Sequence, residues 1–92
     1  MNKITDLSQT VELMSSEDYK ERFIAEYCQI AIRVKRLKRV LTSIKDKTAP
    51  DCFEPTCPIV LLAEQLYAMQ GYLSVLSNRA FIEDIDLPEV DV

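Results

Sequence analysis

The sequence predicts an all-α protein in which a short N-terminal helix precedes a long antiparallel helical hairpin, and in which several copies assemble into a homo-oligomer. Apolar residues recur every three or four positions through residues 16–45 and again through residues 58–83, which is the spacing of one helix face. The segment 46–57 between them carries Pro50 and Pro55, and proline does not continue a helix. Two helices of similar length joined by so short a loop favour antiparallel packing within one domain.

The first long helix, residues 16–45, has an unbroken apolar stripe along one side. Its members are Tyr19, Phe23, Tyr27, Ile30, Val34, Leu37, Leu41 and Ile44. Ser15 is expected to cap the amide end, with Asp18 favourably placed in the first turn. A helix of this length spans roughly 45 Å, which is more than a small domain can surround, so it requires a long partner.

The second long helix, residues 58–83, supplies that partner. Its stripe consists of Ile59, Leu62, Leu66, Met69, Leu73, Leu76 and Ala80. Thr56 or Cys57 is expected to act as the N-cap, and Pro58 suits the first turn, where its missing N–H costs nothing. Apolar residues also occupy most of the remaining circumference, so we expect this helix to be buried on most sides, near the centre of an oligomer.

Shorter segments flank the hairpin. Residues 1–15 are predicted to form the leading helix, which is too short to stand alone and must pack on the hairpin or on a neighbouring subunit. Its inward face would hold Ile4, Leu7, Val11 and Met14. Phe53 is expected to fold over the end of the core. Residues 84–92 are acidic and contain no cation, and disorder is predicted for this tail beyond an anchor at Ile85 and Leu87.

Composition narrows the classes of function. The 92 residues include no histidine, and the three cysteines lack the spacing of a zinc site, so reduced thiols are expected. Because no nucleophile motif or inward-facing pair of acids is visible either, we predict that the chain is not an enzyme and uses no cofactor or metal. Glu64, Gln65 and Gln70 interrupt the second helix, so no membrane span is expected, and the lack of a signal peptide indicates the cytoplasm.

Five cations lie within seven residues of the first long helix, and we call them the basic collar: Arg33, Lys35, Arg36, Lys38 and Arg39. Such a run is usually a solvated helix face. The formal net charge is nevertheless −4, and the isoelectric point is about 4.7. This acidity opposes binding to duplex nucleic acid and fits better with a small anion held by a few converging cations.

Two aromatic residues and a lysine of the first long helix are candidates for ligand binding. Phe23 and Tyr27 either pack in the core or form, with Lys38, a stacking platform and phosphate clamp. Phe23 and Lys38 lie on nearly the same face but about 22 Å apart along the axis, so no small ligand touches both within one chain. Antiparallel packing of two protomers would bring the aromatic ring of one beside the lysine of the other.

Arg79 is the only cation of the second long helix. Glu83, four residues further on, is one available partner for its guanidinium. The other possibility is an anion gathered by the symmetry of an oligomer. Both explanations stay open on the sequence.

Three runs of the chain carry a recognisable pattern: SSEDYKERFIAEYCQIAIRVKRLKRVL, FEPTCP and LLAEQLYAMQGYLSVLSNRAFIEDIDL. The first contains E-R-aromatic-x-x-E-Y, and the last contains E-Q-L-x-A-M-x-x-Y-L-x-x-L-x-x-R. On these motifs the chain resembles a group of small crAss-phage-related proteins, and it looks similar to the phage anti-CBASS sponges that sequester cyclic oligonucleotides and silence bacterial immune signalling. The likeness covers most of residues 16–87.

This resemblance implies a compact homohexamer with two kinds of pocket. A pocket between paired protomers would hold cyclic dinucleotides through an aromatic residue, here Phe23, and a lysine, here Lys38. A second pocket near a three-fold axis would hold cyclic trinucleotides through an arginine, here Arg79. The chain departs from the pattern because Phe23 stands where the sponges carry tyrosine, and because the stretch 34–39 is more basic than usual.

Three hypotheses about function follow from these observations. The leading one is non-catalytic sequestration of a cyclic di- or trinucleotide messenger by an oligomer. The alternative is a phage modulator that binds a host protein through its helical faces. A third is an accessory protein that contacts nucleic acid through the basic collar.

Overall fold

The computed structural model describes residues 3–48 and 55–92. A 3-10 turn over Leu7–Thr10 leads into a short helix α1 (Val11–Met14), and two long helices follow, α2 (Tyr19–Lys45) and α3 (Ile59–Glu83). No strand occurs in these two ranges, which hold one isolated bridge, so the all-α class is confirmed for them. The expected position of Phe53 over the core lies outside the described residues.

The start of α2 differs from the prediction because Asp18, and not Ser15, caps it. Asp18 has extended backbone angles, and its carboxylate accepts from the backbone N–H of Lys20 at 2.9 Å. The hydroxyl of Ser16 accepts from the N–H of Asp18 at 3.0 Å and donates to Glu21 at 2.6 Å. The residues before Tyr19 therefore form a hydrogen-bonded turn, and the helix begins three residues later than the expected position 16.

The ends of α3 are set by backbone geometry. Pro58 occupies the N-cap position in an extended conformation with no side-chain cap, so neither Thr56 nor Cys57 has the capping role predicted for it. At the other end Asp84 adopts a left-handed conformation with φ 56° and ψ 48°, which aspartate tolerates better than most residues. The N–H of Ile85 then donates to the carbonyl of Ala80 at 2.9 Å, which turns the chain back towards the helices.

Most of the core is built on the first half of α2. Seven of its residues are buried: Phe23, Ile24, Ala25, Cys28, Ala31, Ile32 and Val34. The second long helix contributes only Leu76 and Ala80 to the buried set. Hydrogen bonds join Tyr19 to Glu83 and Tyr72 to Glu26, so residues early in α2 contact residues late in α3. The molecule is elongated, with extents of 45 × 23 × 18 Å.

The acidic tail packs against the core, which corrects the prediction of disorder. Ile85 and Val90 are each 7% exposed. The backbone of Ile4 pairs with the tail in a parallel bridge, since its N–H donates to Glu89 at 2.9 Å and its carbonyl accepts from Asp91 at 2.8 Å. Docking thus buries apolar side chains that would be exposed to water in a disordered tail. The backbone pairing satisfies the polar groups beside them.

The helical part of the leading segment is shorter than the predicted helix over residues 1–15. Ile4 lies in extended chain paired with the tail and is 6% exposed, and Leu7 packs against the core, so these two residues face inward as predicted. Val11 and Met14 are each 50% exposed, so the other half of the expected inward face is not formed. Thr10 is buried as well, at 1% exposed, although it was not predicted to face inward. Its hydroxyl donates to the carbonyl of Leu7 at 2.8 Å and accepts from Gln29 at 3.0 Å, which fixes the segment to α2.

One long helix is apolar over a length that could cross a membrane. An 18-residue window of Ile59–Glu83 has a mean hydropathy of 1.3, and 6% of that window is buried in the structure. This result reflects only the length and the composition of the helix. The expectation that the chain does not span a membrane stays a prediction.

The docked tail gives a stability prediction. Replacing the buried Ile85 by alanine should lower the free energy of unfolding by about 2–5 kcal/mol, because it removes packed methylene groups and leaves a cavity. Ile82→Ala is the matched control, since Ile82 is 80% exposed and its loss should cost no more than about 0.5 kcal/mol within one chain. Urea titration followed by circular dichroism measures both.

Repeating the titration over a range of protein concentrations separates packing from association. A cost at Ile82 that grows with concentration would report an interface between copies. Equal and small costs for the two variants would contradict a docked tail.

Candidate functional site

The four candidate residues fall into two pairs within the chain. Tyr27 and Lys38 line one groove, and Phe23 and Arg79 are in direct contact elsewhere. The predicted pairing of Phe23 with Lys38 is not made within one chain, as expected from their separation along α2. The contact of Phe23 with Arg79 was not foreseen from the sequence.

The groove that holds Tyr27 and Lys38 lies where α2, α3 and the tail meet, and we call it the tail groove. It has a volume of about 430 Å³. Its lining combines aliphatic, aromatic and charged side chains: Tyr27, Ala31, Val34, Lys35, Lys38, Leu73, Pro88, Glu89 and Val90. Burial raises the pKa of the Tyr27 phenol, so its hydroxyl stays protonated and able to donate. The groove offers one aromatic ring and two cations, with Glu89 as its acid.

A second depression adjoins the tail groove through shared residues, and we call it the cation groove. Its lining consists of Lys35, Lys38, Arg39, Thr42 and Val92, around a volume of about 360 Å³. The four helical positions are spaced by three, one and three residues, so they lie on one face of α2. Lys35 and Lys38 belong to both grooves, which makes the two depressions one continuous surface.

The contact of Phe23 with Arg79 is part of a polar network at the start of α2. The guanidinium carbon of Arg79 lies 4.9 Å from the centroid of the Phe23 ring. Its Nε donates to Glu83 at 3.2 Å and its Nη2 donates to the Tyr19 hydroxyl at 2.8 Å. The Tyr19 hydroxyl donates in turn to the second oxygen of Glu83 at 2.6 Å. Of the two partners open to Arg79 on the sequence, Glu83 is therefore the one that it contacts here.

Packing makes Phe23 a core residue in the isolated chain. The side chain is 2% exposed, with the guanidinium of Arg79 over its ring and the Tyr19 ring tilted beside it at 6.3 Å between centroids. A base could stack on Phe23 only after Arg79 moved aside. Tyr27 is the candidate aromatic residue that lines an open groove.

The basic collar divides around α2. Arg36 forms an ion pair with Asp6 at 3.7 Å, and Arg33 lines a separate depression beside the leading segment. Lys35 donates to the carbonyl of Val90, and Nη2 of Arg39 donates to the main-chain oxygen of Val92 at 2.7 Å. All five cations are exposed, as expected of such a run, but the tail contacts two of them.

Sequence reasoning missed the tail as part of this surface. The signal was present in the alternation of Ile85, Leu87, Val90 and Val92 with acids, in a segment that follows a run of cations earlier in the chain. Acid content alone favoured disorder. The apolar residues of the segment determine where it packs, and two cations of the collar donate hydrogen bonds to its main-chain oxygens.

The cysteines in the described ranges contribute no reactive group to these surfaces. Cys28 and Cys57 are free thiols, and burial raises the pKa of Cys28 to about 11. A thiol with such a pKa carries little thiolate near neutral pH and is therefore a weak nucleophile. Cys28 acts as a small apolar residue of the core.

The Arg79 network predicts opposite shifts in a titration. The hydrogen bond to Glu83 raises the pKa of Tyr19, because ionised phenolate would face a carboxylate, while Arg79 acts in the lowering direction. Glu83→Gln should therefore lower the pKa of Tyr19, and Arg79→Gln should raise it further. NMR titration of ring-labelled tyrosine measures both, and Tyr19→Phe assigns the signal. Shifts of the same sign in the two variants would contradict the network.

Comparison with known proteins places the chain in a family. Residues 17–82 match the family model for Sequestin, a range that includes Phe23, Tyr27, Lys38 and Arg79. No curated protein and no solved structure matches the chain. The name of the family suggests that its members act by sequestering what they bind. Since the match covers well over half of the 92 residues, the chain belongs to the Sequestin family.

Proposed function

We propose that this protein is a non-catalytic phage sponge that binds and sequesters cyclic di- or trinucleotide immune messengers in the host cytoplasm, and so counters CBASS-type bacterial defence. Its membership of the Sequestin family carries the proposal. Sequestration requires a binding surface and no chemistry. The tail groove offers such a surface, with an aromatic ring beside cations.

The tail groove is the proposed site for a cyclic dinucleotide. Tyr27 presents an aromatic ring to a base, and Lys38 presents an ammonium group to a phosphodiester. Stacking of a base on an aromatic ring is tolerant of base identity, because every base has a π-face. Phe23 joins this site only if Arg79 leaves its ring.

Arg79 is the proposed contact for a cyclic trinucleotide. Its network with Tyr19 and Glu83 uses Nε and one N–H of Nη2, which leaves further donors of the five that a guanidinium carries. Tyr19 and Glu83 hold the planar group in one orientation, and this lowers the entropic cost of binding a phosphate. Copies of Arg79 around a three-fold axis would add their charges at one place.

The antiparallel hairpin is proposed to assemble into a homohexamer through the outer face of α3. This face carries an apolar stripe that recurs every seven or eight residues and is 56–82% exposed: Val60, Tyr67, Val75 and Ile82. It lies opposite the face that packs on α2 through Leu76 and Ala80. So much exposed apolar surface marks an interaction site.

Gly71 lies on the same stripe and supports a close approach there. Glycine inside a helix costs about 1 kcal/mol relative to alanine. A Cβ atom at Gly71 would meet nothing within 4 Å in the chain, so the chain's own packing does not require glycine. Close contact with the backbone of another helix provides a reason for it.

The exposed stripe also favours the alternative function, a modulator that binds a host protein through its helical faces. Both functions need the stripe covered, but by different partners. Self-association of the purified protein favours the sponge. A stripe that binds a host protein would instead stay exposed when that protein is absent.

Light scattering after size exclusion tests the assembly. We expect a species larger than a dimer at micromolar concentration. Gly71→Ala should raise the stability of α3 by about 1 kcal/mol and yet shift the protein towards smaller species, because the added methyl group separates the helices. Ser77→Ala is the control, since Ser77 is exposed and its hydroxyl donates to Leu73 of its own helix. A wild-type monomer would contradict the oligomer.

Calorimetry against a panel of cyclic di- and trinucleotides tests the ligand. Lys38→Ala should weaken dinucleotide binding about tenfold or more, because a charge-assisted hydrogen bond to phosphate is lost. Trinucleotide affinity should stay unchanged, since that site is assigned to Arg79. The fold should tolerate the change because Lys38 is exposed. Absence of heat with every cyclic nucleotide would exclude the sponge, and equal loss for both ring sizes would exclude separate sites.

A further inference from the structure

The cation groove brings three cations together, with no aspartate or glutamate side chain in its lining. The ion pairs of the described residues join Lys3 to Asp91, Arg36 to Asp6 and Arg79 to Glu83. Lys35, Lys38 and Arg39 take part in none of them, although the chain carries a formal net charge of −4. No acidic side chain lines the groove that these three cations share. Glu89 lines the adjoining tail groove and makes no ion pair with these cations. Three cations on one helix face repel each other, so an anion between them is favoured.

The tail orients two of these cations. The carbonyl of Val90 accepts from Lys35, and the main-chain oxygen of Val92 accepts from Arg39 at 2.7 Å. An ammonium group has three N–H donors and a guanidinium has five, so each cation keeps donors for a ligand. A long side chain held in one direction loses less entropy when it binds.

We propose that Lys35 and Arg39, held by the tail at Val90 and Val92, form with Lys38 a phosphate-binding site in the cation groove. The ligand class is a phosphate or phosphodiester group. This inference deepens the proposed function and rests on it for the identity of the whole ligand: a cyclic dinucleotide with its base against Tyr27 would place a phosphodiester at Lys38 and in the cation groove.

The geometry suits a phosphate group better than a carboxylate. Lys35, Lys38 and Arg39 approach from three positions of one helix face, and Thr42 borders the same groove one turn beyond Lys38. A phosphodiester presents oxygens in several directions and can accept from more than one cation at once. Arginine recognises such a group through paired donors.

The test measures binding of inorganic pyrophosphate and of a cyclic dinucleotide by NMR titration of the full chain. In the wild-type protein, pyrophosphate should perturb the amide signals around Lys35, Lys38 and Arg39. Lys35→Ala and Arg39→Ala should each weaken pyrophosphate affinity about tenfold. Arg36→Ala is the matched control, because it removes the same charge from the same helix turn but from the side that faces Asp6.

The probes separate this inference from the function it deepens. Pyrophosphate binding that depends on Lys35 and Arg39, without any cyclic nucleotide binding, would support the phosphate site and contradict the sponge. Nucleotide binding that is insensitive to Lys35→Ala and Arg39→Ala would overturn the site and leave the sponge standing. Equal losses in all three variants, Arg36→Ala included, would show general charge attraction and would also overturn it.

Discussion

The structure depends on one demand, that the first half of α2 be covered on every side. Its buried residues run from Phe23 to Val34, and Ile32 and Cys28 are fully buried. A single neighbouring helix covers only part of such a cylinder, since helices contact along a stripe. The leading segment and the tail therefore close the remaining sides, and they do so together because Ile4 pairs with Val90. Beyond Val34 no residue of α2 is fully buried, and most of the basic collar lies there.

Local patterns were enough to predict the two long helices, and nonlocal contacts explain much of what the sequence did not predict. The apolar periods of α2 and α3 are properties of each segment alone, so the all-α class follows from them. The docking of Ile85 and Val90 depends instead on a surface made by residues far away in the sequence. The helix ends depend on the backbone angles of Asp18 and Pro58. Several neighbouring residues have similar capping propensities, so the sequence alone does not select the one that caps.

The candidate site shows the same division. Residue types pointed to Tyr27 and Lys38, and these two line one groove. Which aromatic residue is open could not be predicted, because Phe23 and Tyr27 occupy the same apolar stripe. The difference arises from the alignment of α3, which brings Arg79 over Phe23 and leaves Tyr27 at the edge of the tail. An apolar stripe predicts which face of a helix is buried. The exposure of each residue on that face depends on which side chains of the neighbouring helix lie opposite it.

The extended tail explains how an acidic segment can contact a basic collar without neutralising it. Successive side chains of extended chain point to opposite sides. Val90 packs inward, while Asp91 points the other way and pairs with Lys3 at 3.6 Å. The groups that reach Lys35 and Arg39 are main-chain oxygens of the tail. The carbonyl of Val90 directs the Lys35 ammonium group but leaves its charge in place, and no acidic side chain lines the cation groove. Positive charge therefore survives there in a chain whose net charge is negative. In this way the overall acidity opposes long polyanions, while the groove stays attractive to a single phosphate group.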